Sequence, residues 1–205
     1  MDEKMKKLQT ARENMYRFLS RLYMFEVDDV CFKNLEKAVF PQHCGNEDMA
    51  QGYKILSDFF QSHPISDALL DELAADYAGT FLAAGVAAGE AAFPYESVYL
   101  NSKHLVMQEA AAGADARYKA DGLEIRRDMY HVPPDHVGLE MEYMAYLCAN
   151  GKVAEEKQFF SQHLNNWVPF FSGEVIRLAR SDFYKGLGWL TRGFMTLEQH
   201  YLNEI

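Results

Sequence analysis

Apolar side chains recur along this chain at steps of three and four from one end to the other, and that spacing constrains its fold more than any other feature. Phe183, Leu187, Leu190, Phe194, Leu197 and Tyr201 alternate steps of four and three. Near the N-terminus, Leu8, Ala11, Met15, Phe18, Leu19, Leu22 and Phe25 form a similar stripe. Leu69, Leu73, Tyr77 and Phe81 repeat every four residues, as do Val137 and Met141 ahead of Met144. A helix with 3.6 residues per turn gathers such positions on one face, where packing buries them. No run alternates apolar and polar residues between turn dipeptides, so no strand is needed. The expected fold is all-α, a multi-helix bundle in two packed halves.

Pro, Gly and small-residue clusters punctuate the helices at Pro41 to Asn46, His63-Pro64, Ala83 to Pro94 and Gly113 to Gly122. The last is small and charged and lacks a continuous apolar stripe. It therefore reads as a boundary: an N-terminal helical half over 1–112, a connecting segment over 113–132, and a C-terminal helical half over 133–205, all within one compact domain. A chain of 205 residues can bury a sizeable core without covalent staples.

Charge narrows the class of partner. Lys and Arg total 20 against 30 Asp and Glu, a formal charge of −10. A chain this acidic does not suit nucleic acid or an anionic membrane and instead attracts a basic segment. With 49% hydrophobic and 24% charged residues, wholesale disorder is excluded. Cys31, Cys44 and Cys148 are scattered and contain no CxxC, so neither a disulfide framework nor a zinc knuckle is indicated. Met1 to Lys7 leads into a charged helix pattern rather than a signal-peptide run. The longest uncharged stretches, Tyr77 to Gly89 and Gln158 to Gly173, are respectively too short and too polar to span a bilayer. A cytoplasmic protein without membrane insertion is expected.

Several catalytic patterns are absent from the sequence: GxxxxGK[ST], GxSxG and HExxH do not occur, and the loop Ala83 to Gly89 carries no lysine to reach a phosphate. The densest polar cluster is Pro133-Pro-Asp-His-Val-Gly-Leu-Glu-Met-Glu142. Two prolines and an acid read as a helix start, with Asp135 near the positive end of the dipole. Equally, Asp135 and His136 at that start can accept hydrogen bonds from a cationic partner. His136 and Glu140 share one face, so a small metal-dependent helical-bundle enzyme using His136, Glu140 and Glu142 is the rival reading, although a four-coordinate site needs more ligands. Phe93-Pro94-Tyr95-Glu96-Ser97 offers a rigid apolar wall with a charge at its rim, or else a loop capping the core before a helix near Ser97. Tyr77 and Phe81 are core by default, and Trp167 with Pro169, Phe170 and Phe171 reads as core or a helix junction. His43, His63, His104, His131 and His200 are isolated.

Taken in order, Tyr77-Ala-Gly-Thr-Phe81, Phe93-Pro-Tyr-Glu-Ser-Val-Tyr-Leu100, Pro133-Pro-Asp-His-Val-Gly-Leu-Glu-Met-Glu-Tyr-Met144, Phe159 to Phe170 and Asp182-Phe-Tyr184 resemble the TorD/DmsD family of cytoplasmic redox-enzyme maturation chaperones. The resemblance covers essentially the whole chain. It implies an all-helical fold without catalytic machinery or cofactor. It also implies binding to the twin-arginine leader and apo form of a molybdopterin oxidoreductase, held from export until its cofactor is inserted. Matched position by position, it assigns leader binding to Tyr77, Phe81, Pro94, Tyr95, Pro133, Asp135 and His136. Thr80 stands where the family usually has Leu, and Val132 where Glu often precedes the Pro-x-Asp-His motif.

A twin-arginine leader presents two guanidinium groups and then an apolar stretch. Recognition needs carboxylates able to pair with Arg beside an aromatic groove. Asp135 and Glu96 suit the first requirement, and Tyr77, Phe81, Phe93 and Tyr95 the second. Ten methionines, Met141 and Met144 among them, suit a groove that repacks. The leader fits such a groove as a helix or as an extended strand. No metal is expected; a monomer is the default, and the central connection permits a domain-swapped dimer.

Overall fold

The computed structural model describes residues 3–41, 44–84 and 90–205. Among them the backbone forms ten helices: α1 (Glu3–Met24), α2 (Asp29–Glu36), α3 (Glu47–Ser62), α4 (Asp67–Phe81), α5 (Glu96–Leu100), α6 (Glu109–Ala120), α7 (Val137–Ala149), α8 (Val153–Gln162), α9 (Leu164–Leu178) and α10 (Asp182–Glu204). One isolated antiparallel bridge, Tyr95 to His136, is the only β-pairing among the described residues. The protein is all-α, as its periodicity requires. His43 and the 85–89 part of the small-residue loop lie outside the described residues.

Short polar side chains start the helices. Asp28 accepts from Cys31 N, Asn46 from Met49 N, Ser66 from Leu69 N and Ser181 from Tyr184 N, each satisfying an amide that the first turn leaves unpaired. No described helix is long and apolar enough to cross a membrane.

The residues cluster into two compact units, and the division is not the one expected at 112 and 133. Unit 1 joins the chain up to Met24 to Pro94–Trp167; unit 2 joins Phe25–Phe93 to Val168–Ile205. In unit 1, α1 packs on α7; in unit 2, α3 packs on α10. Each helix buries its stripe against one distant in sequence, a choice that local pattern does not encode. The expected connecting segment is helical through Ala120, with Ala111, Ala114 and Tyr118 buried. Its Gly113 lies against the His163 ring, where a Cβ would stand 3.3 Å from Cε1.

The stripes on α4 and α10 behave largely as expected. Leu69, Leu73, Tyr77 and Phe81 are all buried, as are Phe183, Leu187, Leu190 and Phe194. On α1 the buried face is rotated: Gln9, Arg12, Tyr16, Leu19, Ser20, Leu22 and Tyr23 point inward while Leu8 and Phe25 stay exposed. The reason is polar. Buried Glu156 of α8 draws in the Arg12 guanidinium at 2.6 Å and the Gln9 amide, because a buried carboxylate is costly unless paired.

Unit 2 contains a close approach that only glycine allows. A Cβ on Gly52 of α3 would stand 2.4 Å from Leu190 N, and one on Gly193 of α10 would stand 2.3 Å from Met49 N. Gly193→Ala is expected to lower the unfolding free energy by about 1–3 kcal/mol in denaturant titration, the usual cost of overpacking. Gly173→Ala in α9, where a Cβ meets nothing within 4 Å, should stay within about 1 kcal/mol of the parent and serves as the control.

Candidate functional site

In unit 1 the Pro-Tyr-Glu-Ser and Pro-Pro-Asp-His segments run side by side. Val137 N donates to Pro94 O at 2.9 Å, Glu96 N donates to Asp135 O at 3.0 Å, and the rings of Tyr95 and His136 meet edge-on at 5.3 Å. Below this junction the Tyr118 hydroxyl donates to Pro134 O at 2.9 Å. Six of the residues expected at the site, Pro94, Tyr95, Glu96, Pro133, Asp135 and His136, are therefore gathered within unit 1.

Asp135 and His136 are buried, and both cap helices. His136, not Asp135, is the N-cap of α7; its Nδ1 accepts from Gly138 N at 3.0 Å. Burial drives its pKa down to about 3, so the ring is neutral. The Asp135 side chain caps a different helix from the one expected: Oδ2 accepts from Ser97 N of α5 at 2.9 Å. The bond works across the junction because α5 has no side-chain cap of its own. Pro133 and Tyr95 remain part-exposed, and burial, with the charge of Asp135, raises the Tyr95 hydroxyl pKa.

Beneath the caps lies a buried polar cluster. His163 Nδ1 is 2.7 Å from Glu96 Oε2, and the Trp167 indole donates to Glu140 Oε2 at 3.1 Å. One donor atom from each of Glu96, Glu140 and His163 lies within 4.8 Å of the others, which makes them, among the described residues, the group able to hold a metal. Asp135 Oδ1 and Glu140 Oε1 accept no hydrogen bond, and both residues are 0% exposed. Burial, followed by the charge of and a hydrogen bond with Glu96, holds the Glu140 carboxyl well above the ordinary carboxylate range. The rival trio of His136, Glu140 and Glu142 is not assembled: Glu142 turns outward to Arg17 at 2.5 Å and lines a separate tyrosine-rich pocket, while His136 Nδ1 is committed to its cap.

A crevice of about 440 Å³ opens onto this cluster, lined by Glu96, Ser97, Leu100, Asn101, Gln108, Glu109, Gln162 and His163 among others. Between its lining residues Asn101 and Gln108, the chain exposes Leu105, Val106 and Met107, with Leu100 also exposed. His104 and Met107 hold positive φ in this segment. The sequence reading missed Glu109 and carried His163 only inside a longer motif. The available clue was that His163 and Trp167 are four apart and so share a helical face.

Tyr77, Phe81 and Phe93 belong to unit 2. Tyr77 and Phe81 are core there, with ring centroids 5.0 Å apart and Phe81 edge-on to Tyr184 at 5.6 Å. Thr80 donates its hydroxyl to Asp76 at 3.1 Å, and Asp76 in turn receives the amides of Arg180 and Ser181, so a Leu here would lose a bond inside the core. Phe93 is part-exposed.

A family model described as nitrate reductase delta subunit matches residues 43–172. A chaperone protein TorD from Shewanella pealeana is 27% identical over 202 residues, covering 94% of this chain and 90% of its own length. Another, from Vibrio cholerae serotype O1 strain O395, is 25% identical over 221 residues, covering 100% of this chain and 98% of its own. Among solved structures, a redox enzyme maturation protein from Archaeoglobus fulgidus shares the fold with a TM-score of 0.55 at 20% identity, over 90% of this chain and 93% of that one. The helical fold and these relatives place the chain among TorD-like proteins. The chain belongs to the nitrate reductase delta subunit family and is TorD-like within it.

Two outcomes follow from the caps. Asp135→Ala should cost about 1–3 kcal/mol in denaturant titration by leaving the buried Ser97 amide unpaired, with far-UV helix content retained. His136 binds its proton more weakly when folded, with a pKa of about 3 against the ordinary 6.5 of a histidine, so stability present above pH 6.5 drains away as pH falls. Between pH 7.5 and pH 4.5 this amounts to about 3 kcal/mol. His136→Asn, which can cap without titrating, should remove that share of the acid sensitivity in urea melts at the two pH values.

Proposed function

We propose that this protein is a cytoplasmic chaperone that binds the twin-arginine leader and apo form of a molybdopterin oxidoreductase, assists cofactor insertion and delays export until maturation is complete. The observation that carries this reading is the unit 1 crevice, which sets Glu96 and Glu109 beside the exposed apolar residues Leu100, Leu105, Val106 and Met107. A guanidinium fits against such carboxylates through paired hydrogen bonds, and the apolar stretch that follows it in a leader covers the oily segment. The family and its relatives named as chaperones support the same reading.

In this reading the expected site residues divide by role. Glu96 lines the wall of the crevice that receives the leader's basic end behind exposed Glu109, Tyr95 and Pro133 furnish apolar surface, and buried Pro94 holds the loop that carries Tyr95. Buried Asp135 and His136 act as positioning residues, holding α5 and α7 so that Glu96 meets the crevice. Tyr77 and Phe81 are packed into the core of unit 2. The formal charge of −10 hastens encounter with a basic leader.

Titration calorimetry of the purified chain with a twin-arginine leader peptide should give saturable binding. A twin-lysine peptide should bind at least about tenfold more weakly, since an ammonium cannot form the paired bonds of a guanidinium. Affinity should fall as salt rises, and Glu109→Gln should weaken binding without loss of stability. Equal affinity for the two peptides, or no binding at all, would defeat the proposal.

A further inference from the structure

The cluster of Glu96, Glu140 and His163 is short of positive charge. Glu96, Asp135 and Glu140 are all buried, and among the described residues no Lys or Arg bonds to any of the three; the His163 imidazole is the nitrogen partner in reach. Buried carboxylates in that position need a neutralising partner, either a proton or a metal ion. The orientation of Glu140 decides what the site is shaped to take. Trp167 binds Oε2 and so fixes the carboxylate, while Oε1 receives no N–H donor although the residue is 0% exposed, the Glu96 carboxyl being its hydrogen-bonding neighbour. That is how an outer hydrogen bond orients a metal ligand while leaving its second oxygen to the ion.

We infer that Glu96, Glu140 and His163 form a site for one divalent transition-metal ion, of the Zn²⁺ type, with the crevice as its entry path and water as its fourth ligand. Two carboxylate oxygens and one imidazole nitrogen are a donor set that such ions accept. One ligand atom from each residue already lies within 4.8 Å of the others, so modest side-chain movement closes the set. Nδ1 of His163, now 2.7 Å from Glu96 Oε2, would exchange that bond for the metal, and Glu96 and His163 both line the crevice through which the ion arrives. The site differs from the His136, Glu140 and Glu142 set in every member but Glu140, and its ligands come from α5, α7 and the start of α9's preceding turn rather than from one helix.

The test is calorimetric titration of the untagged, chelator-treated full chain with ZnSO₄, and optical titration with CoCl₂. The expected result is one Zn²⁺ per chain and Co²⁺ absorption bands in the visible whose intensity marks a four-coordinate site. Glu140→Gln, a close mimic of the protonated carboxyl, and His163→Gln should each weaken Zn²⁺ binding at least tenfold, with an unchanged far-UV spectrum for Glu140→Gln. Absence of saturable binding at millimolar Zn²⁺, or unaltered affinity in Glu140→Gln, would overturn the inference; the first result would leave a shared proton as the neutralising partner. The metal site and the leader crevice share Glu96 but are tested apart: Glu109→Gln should alter leader binding alone, and Glu140→Gln metal binding alone.

Discussion

Unit 1 is organised by the need to keep buried carboxylates supplied with partners. Asp135, Glu96, Glu140 and Glu156 are almost wholly removed from solvent, and an unpaired buried charge costs more than most single contacts contribute. Each is answered by a group from elsewhere in the unit: the Ser97 amide for Asp135, His163 for Glu96, the Trp167 indole for Glu140, and Arg12 for Glu156. These pairings draw α1 toward α8, and the Pro94–Ser97 segment toward Pro133–Val137. Apolar packing alone would leave both arrangements under-determined.

The same economy explains why the residues most suggestive of ligand binding are hidden. A histidine and an aspartate at a helix start look like groups offered to a partner. Here their hydrogen-bonding capacity goes to the backbone: His136 caps α7 and Asp135 caps α5. What reaches solvent is one step removed, namely the carboxylate of Glu109 at the crevice that Glu96 and His163 line. A motif can thus look like a binding site while its side chains serve to position the backbone.

Unit 2 is held differently. Its core is aromatic, with Phe32 edge-on to Phe59 and Phe60, Phe60 edge-on to Phe183, and Tyr77, Phe81, Phe171 and Tyr184 in a second group. Edge-to-face geometry suits the ring quadrupoles. Asp76 is its principal buried carboxylate contact, receiving two backbone amides and the Thr80 hydroxyl. That network accounts for Thr80 where the family usually carries Leu.

How far the sequence could be read depended on the range of the interactions. Helix type, the buried faces of α4 and α10 and the residues of the two zipped motifs were legible, because a 3.6-residue period and capping chemistry act over a few residues. The buried face of α1, the composition of the two units and the helical nature of 113–120 were not, because each answers to a partner far away in the chain: Glu156 for α1, α7 and α10 for the units, His163 for Gly113. The candidate site was half legible for the same reason. Local pattern named Glu96, Asp135 and His136 as chemically loaded, but burial and pairing are three-dimensional quantities. Only the packed structure decided that all three are buried, that Glu140 joins Glu96 and His163, and that Glu109 stands at the mouth of the crevice.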